Sequence, residues 1–277
     1  MQSVSTPRWD ALFHARSALF DPLRPLASRL SQSAWPSREE LTRLARHCDR
    51  AVVTAVGRAI EFVEPPAHGR SAARYEQRIA DAGSVEHREA SWHDLFNALV
   101  WMTFPLTKAA LNRRHLTELA REAQGKRTAA RDALTQFDED GIVVVSDQAD
   151  LLELLRAFQW HELFWQRRSD VQRSMRWLVF GHAQYEKALQ PFVGLTAKAL
   201  TLSVAPGFCA MPHADQLAHA DRLAAQMIAQ PEALASPRAL APVPVLGIPG
   251  WSIESEHESF YTDRSYFRPG RQCTTAA

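Results

Sequence analysis

The sequence predicts an α+β protein, mainly α-helical, with helices packed around a small central sheet and an extended C-terminal tail. Three observations predict it. Between residues 91 and 137 apolar side chains recur at helical spacing. Two short runs, "IVVVS" from 142 and "RWLVF" at 176–180, are too short for buried helices and read as strands. Finally, 231–271 mixes prolines with Trp251, Phe260, Tyr261, Tyr266 and Phe267, which a disordered tail rarely carries.

Size and composition agree. A chain of 277 residues buries roughly 75% of its unfolded surface, and 46% hydrophobic with 23% charged residues is ordinary for a folded globule. One domain is expected over 1–277: a helical scaffold to 58, a core over 59–230, and a tail from 231 that wraps it. The net charge of +1 gives no overall pull toward nucleic acid or anionic lipid. Cys48, Cys209 and Cys273 are odd in number and widely spaced, so neither a disulfide framework nor a zinc cluster of cysteines is indicated. No signal-peptide core opens the chain and no stretch nears the ~20 apolar residues that span a bilayer. The expectation is a cytoplasmic protein with no membrane partner.

Taken in order, residues 8–47 are helical and punctuated by proline, with Ser37 and Glu40 spaced as a capping box. "AIEFVEPP" reads as a short strand stopped by Pro65 and Pro66, and 75–88 fits either a hairpin or a short helix. Ser91 caps a helix whose Trp92, Leu95, Phe96, Leu99 and Val100 share one face. Pro105 suits the first turn of a second helix, expected to reach Gln124 and stop at Gly125; a third spans 126–137. "DEDG" reads as a turn with Gly141 at positive φ. Asp147 opens a helix running into "WHELF", Gly181 precedes the helix "HAQYEKAL", and another amphipathic helix covers 214–229.

"WHDLF" at 92–96 nearly repeats as "WHELF" at 160–164. The segments diverge at once, since Leu99 and Val100 are answered by Arg167 and Arg168. A duplicated unit keeps its pattern over tens of residues, so the echo is given no chemistry.

Several groupings can carry chemistry. Lys108, Asn112 and His115 fall on one stripe of the second helix beside Leu111, Leu116 and Leu119, and so face inward. An unpaired buried polar group costs about 1–3 kcal/mol, so the row needs internal partners or a ligand. His182 in a first helical turn, with Glu186 one turn on, suits a general base or metal ligand oriented by a carboxylate, although His-x-x-x-Glu is a common spacing. Asp138, Glu139 and Asp140 cluster before a strand, either as a solvated turn or with one acid in a cleft; the following Ile142 and Val143 exclude a calcium loop. Arginines at 113, 114, 121, 127, 131, 167, 168, 173 and 176 come with no nucleic-acid motif, and a solvated face is expected. Gly-x-Ser-x-Gly, Walker, dinucleotide and His-Glu-x-x-His motifs are absent.

The blocks "YEQRI", "WHDLFNALVWMTFPLTKAALNRRH", "RDALTQFDEDG", "FGHAQYEKALQP" and "PVLGIPGW... FYTDRSYFRPGR" resemble, in order, those of the bacterial family called domain of unknown function 3025, over roughly 60–271. The resemblance implies a bacterial, cytoplasmic protein and no particular activity. It marks Asp94, Asn97, Lys108, Asn112, His115, Arg131, Asp132, Asp138, Glu139, His182, Glu186 and Arg268 as polar residues inside family blocks.

These readings converge on a hydrolase or transferase for a polar or phosphorylated small substrate, by acid/base or metal-assisted chemistry. Asp138, Glu139, His182 and Glu186 would do the chemistry, with Glu186 orienting His182. Asn97, Lys108, Asn112, His115, Arg131 and Asp132 would bind substrate. The alternative is a binding module using its arginine-rich helices on nucleic acid or protein. Metal, cofactor and oligomeric state stay open.

Overall fold

The computed structural model describes residues 7–68, 71–122 and 126–270. Gln124, Gly125 and Cys273 lie outside them; Cys48 and Cys209 are free and half-buried.

The chain opens with two 3-10 turns, Phe13–Ala15 and Ala18–Phe20, and then helices α1 (Arg24–Ala27) and α2 (Arg38–Arg46). The expected capping box forms: Glu40 N–H donates to Ser37 Oγ, and Ser37 N–H donates to the Glu40 carboxylate. Strand β1 (Glu61–Val63), helix α3 (Ala72–Ala82) and strand β2 (Ser84–Glu86) make a small parallel pair with its crossover helix. The helix alternative for 75–88 therefore holds, followed by a strand. Gly83 ends α3 at φ 71°, and a Cβ there would lie 2.0 Å from the Ala59 carbonyl oxygen. Only glycine allows that turn.

Helices α4 (Trp92–Thr103), α5 (Pro105–Arg121) and α6 (Ala129–Asp140) follow, with Ser91 capping α4 and Pro105 opening α5 as the sequence predicts. No side chain of its own caps α5. Instead Asp221, fully buried, accepts from Thr107 N at 2.8 Å, Thr107 Oγ1 at 2.7 Å and Leu106 N at 3.2 Å, and pairs with Arg50 at 2.7 Å. A carboxylate at a helix N-terminus answers both its free N–H groups and its dipole. This sets the start of α5, and with it the position of Lys108 one turn on.

The acid cluster 138–140 is the last turn of α6, not the loop expected. Gly141 is extended, at φ −70° and ψ 146°, and begins strand β3 (Gly141–Ser146). Glycine is needed there for room, since a Cβ would lie 2.2 Å from the Phe137 carbonyl oxygen.

Strand β3 is buried throughout and central. It pairs antiparallel with β4 (Met175–Val179) and parallel with β5 (Thr196–Ser203), and β6 (Ala241–Pro244) adds antiparallel to β5, in the order β4-β3-β5-β6. Between β3 and β4 lie α7 (Ala149–Arg156), a π-helical turn (Glu162–Gln166) and α8 (Arg168–Ser174). The expected helix into the second Trp-His word breaks at Phe158, whose φ is 58°. The two echoing words thus adopt different structures, α-helix and π-turn.

Helix α9 (His182–Ala188) follows β4, and α10 (His213–Ala229) packs on α5. The tail is less extended than its composition suggests, being β6 plus 3-10 turns. Pro242 and Pro244 suit an edge strand, where a missing N–H costs no ladder bond. Tyr266 pins the tail to the sheet, donating to Leu195 O at 2.7 Å while accepting from Leu246 N at 2.9 Å. Aromatic stacking joins the elements that carry the site: Phe96 of α4 on Tyr185 of α9 at 5.6 Å, and Phe137 of α6 on Phe180 after β4 at 4.7 Å.

Candidate metal centre

Five helices bring polar side chains to a cavity of about 390 Å³. Helix α3 supplies Tyr75 and Glu76; α4 supplies His93, Asp94 and Asn97; α5 supplies His115; α6 supplies Arg131, Asp138 and Glu139; α9 supplies His182. Gly181 makes the α6–α9 junction possible. A Cβ on it would meet Glu139 O at 2.3 Å and Gly141 N at 2.4 Å, so the backbone before His182 lies flush on the end of α6.

At that junction His182 Nε2 lies 3.1 Å from His93 Nε2 and 3.5 Å from Glu139 Oε2. The three donor atoms are all within 4.8 Å of one another. The outer neighbours decide which nitrogens hold protons. Glu186 Oε2 is 3.1 Å from His93 Nδ1, and a carboxylate only accepts, so the proton sits on Nδ1 and the Nε2 lone pair faces His182. Asp138 Oδ2 stands 3.9 Å from His182 Nδ1, beyond hydrogen-bond reach, but its charge favours the same tautomer there. The free lone pair of His93 Nε2 then converges with His182 Nε2 and a carboxylate oxygen. Nitrogens each about 2.0–2.1 Å from a tetrahedral ion lie about 3.3 Å apart, close to the spacing found.

Electrostatics keep His182 in its ligating form. Burial, opposed by the Asp138 charge, pulls His182 down to about 3, so it is neutral at physiological pH. Burial and the Asp138 charge raise Glu139. Burial would also raise Asp138, but the Lys108 ammonium, 2.7 Å away, holds it below its usual value with help from His182.

Lys108 lies behind the cavity wall, donating to Asn97 Oδ1 at 2.8 Å as well as to Asp138. Asn97 in turn donates to Tyr75 Oη at 3.3 Å. Asn112 donates to the Glu76 carboxylate at 2.7 Å and to Glu76 O at 2.9 Å. Burial nonetheless raises Glu76 to about 7. His115 is pulled down to about 4 by burial, and its Nδ1 has no hydrogen-bond partner among the described residues. Arg131 pairs with Glu122 at 2.6 Å, while its Nε has no partner among the described residues.

Of the residues named from sequence, Asn97, His115, Arg131, Asp138, Glu139 and His182 line the cavity, and Lys108 and Asn112 buttress it. Glu186 touches His93, and reaches His182 only through it. Asp132 pairs with Arg127 at 2.6 Å on an exposed surface and does not line the cavity. Arg268 is also elsewhere, its carbonyl accepting from Trp160. Asp94, which also lines the cavity, binds Arg88 Nε at 2.8 Å and Nη2 at 2.7 Å and so aligns a guanidinium of the lining. Sequence reasoning missed His93, Glu76, Tyr75 and Arg88, and placed Arg127 on a solvated face. His93 had a signal, standing one helical turn before Asn97.

Among the described residues no helix is long and apolar enough to cross a membrane. No curated protein and no solved structure matches the chain. A family model does, described as "Protein of unknown function (DUF3025)", across residues 60–271, which hold every ligand and lining residue of the cavity; the chain belongs to that family.

Proposed function

We propose that this protein is a metal-dependent hydrolase of a small polar substrate, holding a divalent transition ion such as zinc on His93, His182 and Glu139. The observation that supports it most is the convergence of two imidazole Nε2 atoms and a carboxylate oxygen within 4.8 Å, with Glu186 behind His93. Three protein ligands with a fourth position open to the cavity is the arrangement of catalytic rather than structural zinc. The Glu186 carboxylate on His93 Nδ1 fixes that imidazole's tautomer and raises its basicity. An ion there would make a bound water acidic enough to attack at neutral pH and would polarise the bond attacked. Glu76, neutral in about half of the molecules near pH 7, is suited to take the water's proton and return it to the leaving group.

The arginine-rich binding face fits less well, because its arginines are engaged internally. Arg114 donates to the carbonyls of Ile228 and Gln230, Arg167 pairs with Asp150 and Asp170, Arg168 with Glu256, and Arg176 with Cys209 O.

Metal dependence tests the reading. Protein stripped with a chelator and assayed on a panel of chromogenic esters should lose at least nine-tenths of its hydrolysis and regain it with one equivalent of zinc, manganese or cobalt. Undiminished turnover in the stripped protein would exclude metal-assisted chemistry here.

A further inference from the structure

Besides the His93, His182 and Glu139 cluster, the cavity lining holds Arg127, Arg131 and His115. The counter-charges of the two arginines stand outside the cavity: Asp132 holds Arg127 at 2.6 Å, and Glu122 holds Arg131 at 2.6 Å. Both guanidinium groups are therefore braced from behind. Arg131 is almost completely buried, yet its Nε finds no acceptor among the described residues, and His115 Nδ1 beside it is likewise without a partner. Buried hydrogen-bonding groups in native proteins nearly always find partners, and leftovers at one wall of a cavity point to a ligand that supplies them. Arginine is permanently charged, and its planar fork matches an oxyanion.

Resting on the reading of this cavity as a substrate site, we infer that the Arg127, Arg131 and His115 wall seats a phosphate group, so that the substrate is a small organophosphate. Two guanidinium groups braced from behind, together with the unmet Arg131 Nε and His115 Nδ1, carry it. Two arginines can engage separate oxygens of a tetrahedral anion, where a planar carboxylate is satisfied by a single fork. The phosphate anchors the molecule in the same cavity that holds the metal ligands. A cavity of about 390 Å³ admits an ester of a few carbons and little more.

Inorganic phosphate titrated calorimetrically into metal-free protein is the test. Wild type should bind one phosphate per chain. Arg127→Gln, on a half-exposed side chain, should weaken binding at least tenfold with an unchanged urea midpoint, and Arg131→Gln more. Zinc binding to Arg127→Gln should be unchanged. Absence of saturable phosphate binding, equal binding by Arg127→Gln, or acetate competing as well as phosphate would each overturn the assignment. Because the protein is metal-free, phosphate binding stands or falls apart from the metal: binding that survives with no zinc uptake keeps the phosphate seat and sinks the hydrolase reading.

Discussion

Replacing His182 by alanine should abolish tight zinc binding, raising Kd by a factor on the order of 1000 or more, and should remove hydrolytic activity with it. One imidazole is a third of the protein ligand set, and the remaining His93 and Glu139 form an incomplete site open to solvent. Because His182 is buried beside Asp138, the substitution also opens space and disturbs a charged group. Glu186→Gln separates these effects. Its side chain is half-exposed and touches His93 rather than any ion, so the fold should be unaffected. A glutamine amide can donate to the imidazole and so reverse its tautomer, and loss of an outer partner of this kind lowers metal affinity roughly 10–100-fold. The expected order of zinc affinity, by competition with a chromophoric chelator, is wild type, Glu186→Gln, then His182→Ala. Equal affinity across all three would remove His182 from the ligand set.

The second large effect concerns Glu76. Glu76→Gln should lower kcat by a factor of about 100 to 10000, the usual contribution of a positioned proton carrier, while zinc affinity stays as in wild type. The same substitution should stabilise the fold at alkaline pH. Burial raises the Glu76 carboxyl from 4.5 to about 7 in the folded state. A group with a raised folded value contributes its full share of stability below the unfolded value and loses it as pH rises through the folded one. From about pH 4.5 to 7, then, wild type should lose stability on this account. Glutamine keeps the neutral form at every pH and still accepts from Asn112. Each pKa unit is worth about 1.4 kcal/mol, so the variant should gain on the order of 3 kcal/mol over wild type at pH 8 relative to pH 4. Urea denaturation at the two pH values measures it. A variant that loses stability at pH 8 would show that the charged carboxylate is a structural partner.

Local chemistry made much of the architecture legible. The capping box at Ser37 and Glu40, Pro105 at the start of α5, and the β-branched run of β3 each act within a few residues, so their signals lie side by side in the chain. Strands β5 and β6 were not legible. "TAKALTLS" is full of residues equally at home in a helix, and two of the four residues of "APVP" are prolines; they are strands because β3 pairs with the first and the first with the second. Such pairing is a property of the whole fold.

The site divides along the same line. Helical spacing alone placed Lys108, Asn112 and His115 inward, and all three are buried. What they meet comes from elsewhere: Asp138 on α6, Glu76 on α3, and the cavity itself. Glu186 shows the limit of spacing arguments. One turn from His182 on α9, it points instead to His93 on α4, a residue that the echo of "WHDLF" in "WHELF" had removed from consideration. The echo is indeed without functional meaning as a pair, since the second word forms a π-turn whose His161 pairs with Glu258 far from the cavity.

The central claim is that His93, His182 and Glu139 share one metal ion. Anomalous diffraction at the zinc edge from crystals of zinc-loaded protein tests it most directly. The account predicts a single strong peak about 2.0–2.1 Å from both Nε2 atoms and bonded to Glu139. A lattice with full zinc occupancy elsewhere and no peak between the two imidazoles would contradict it.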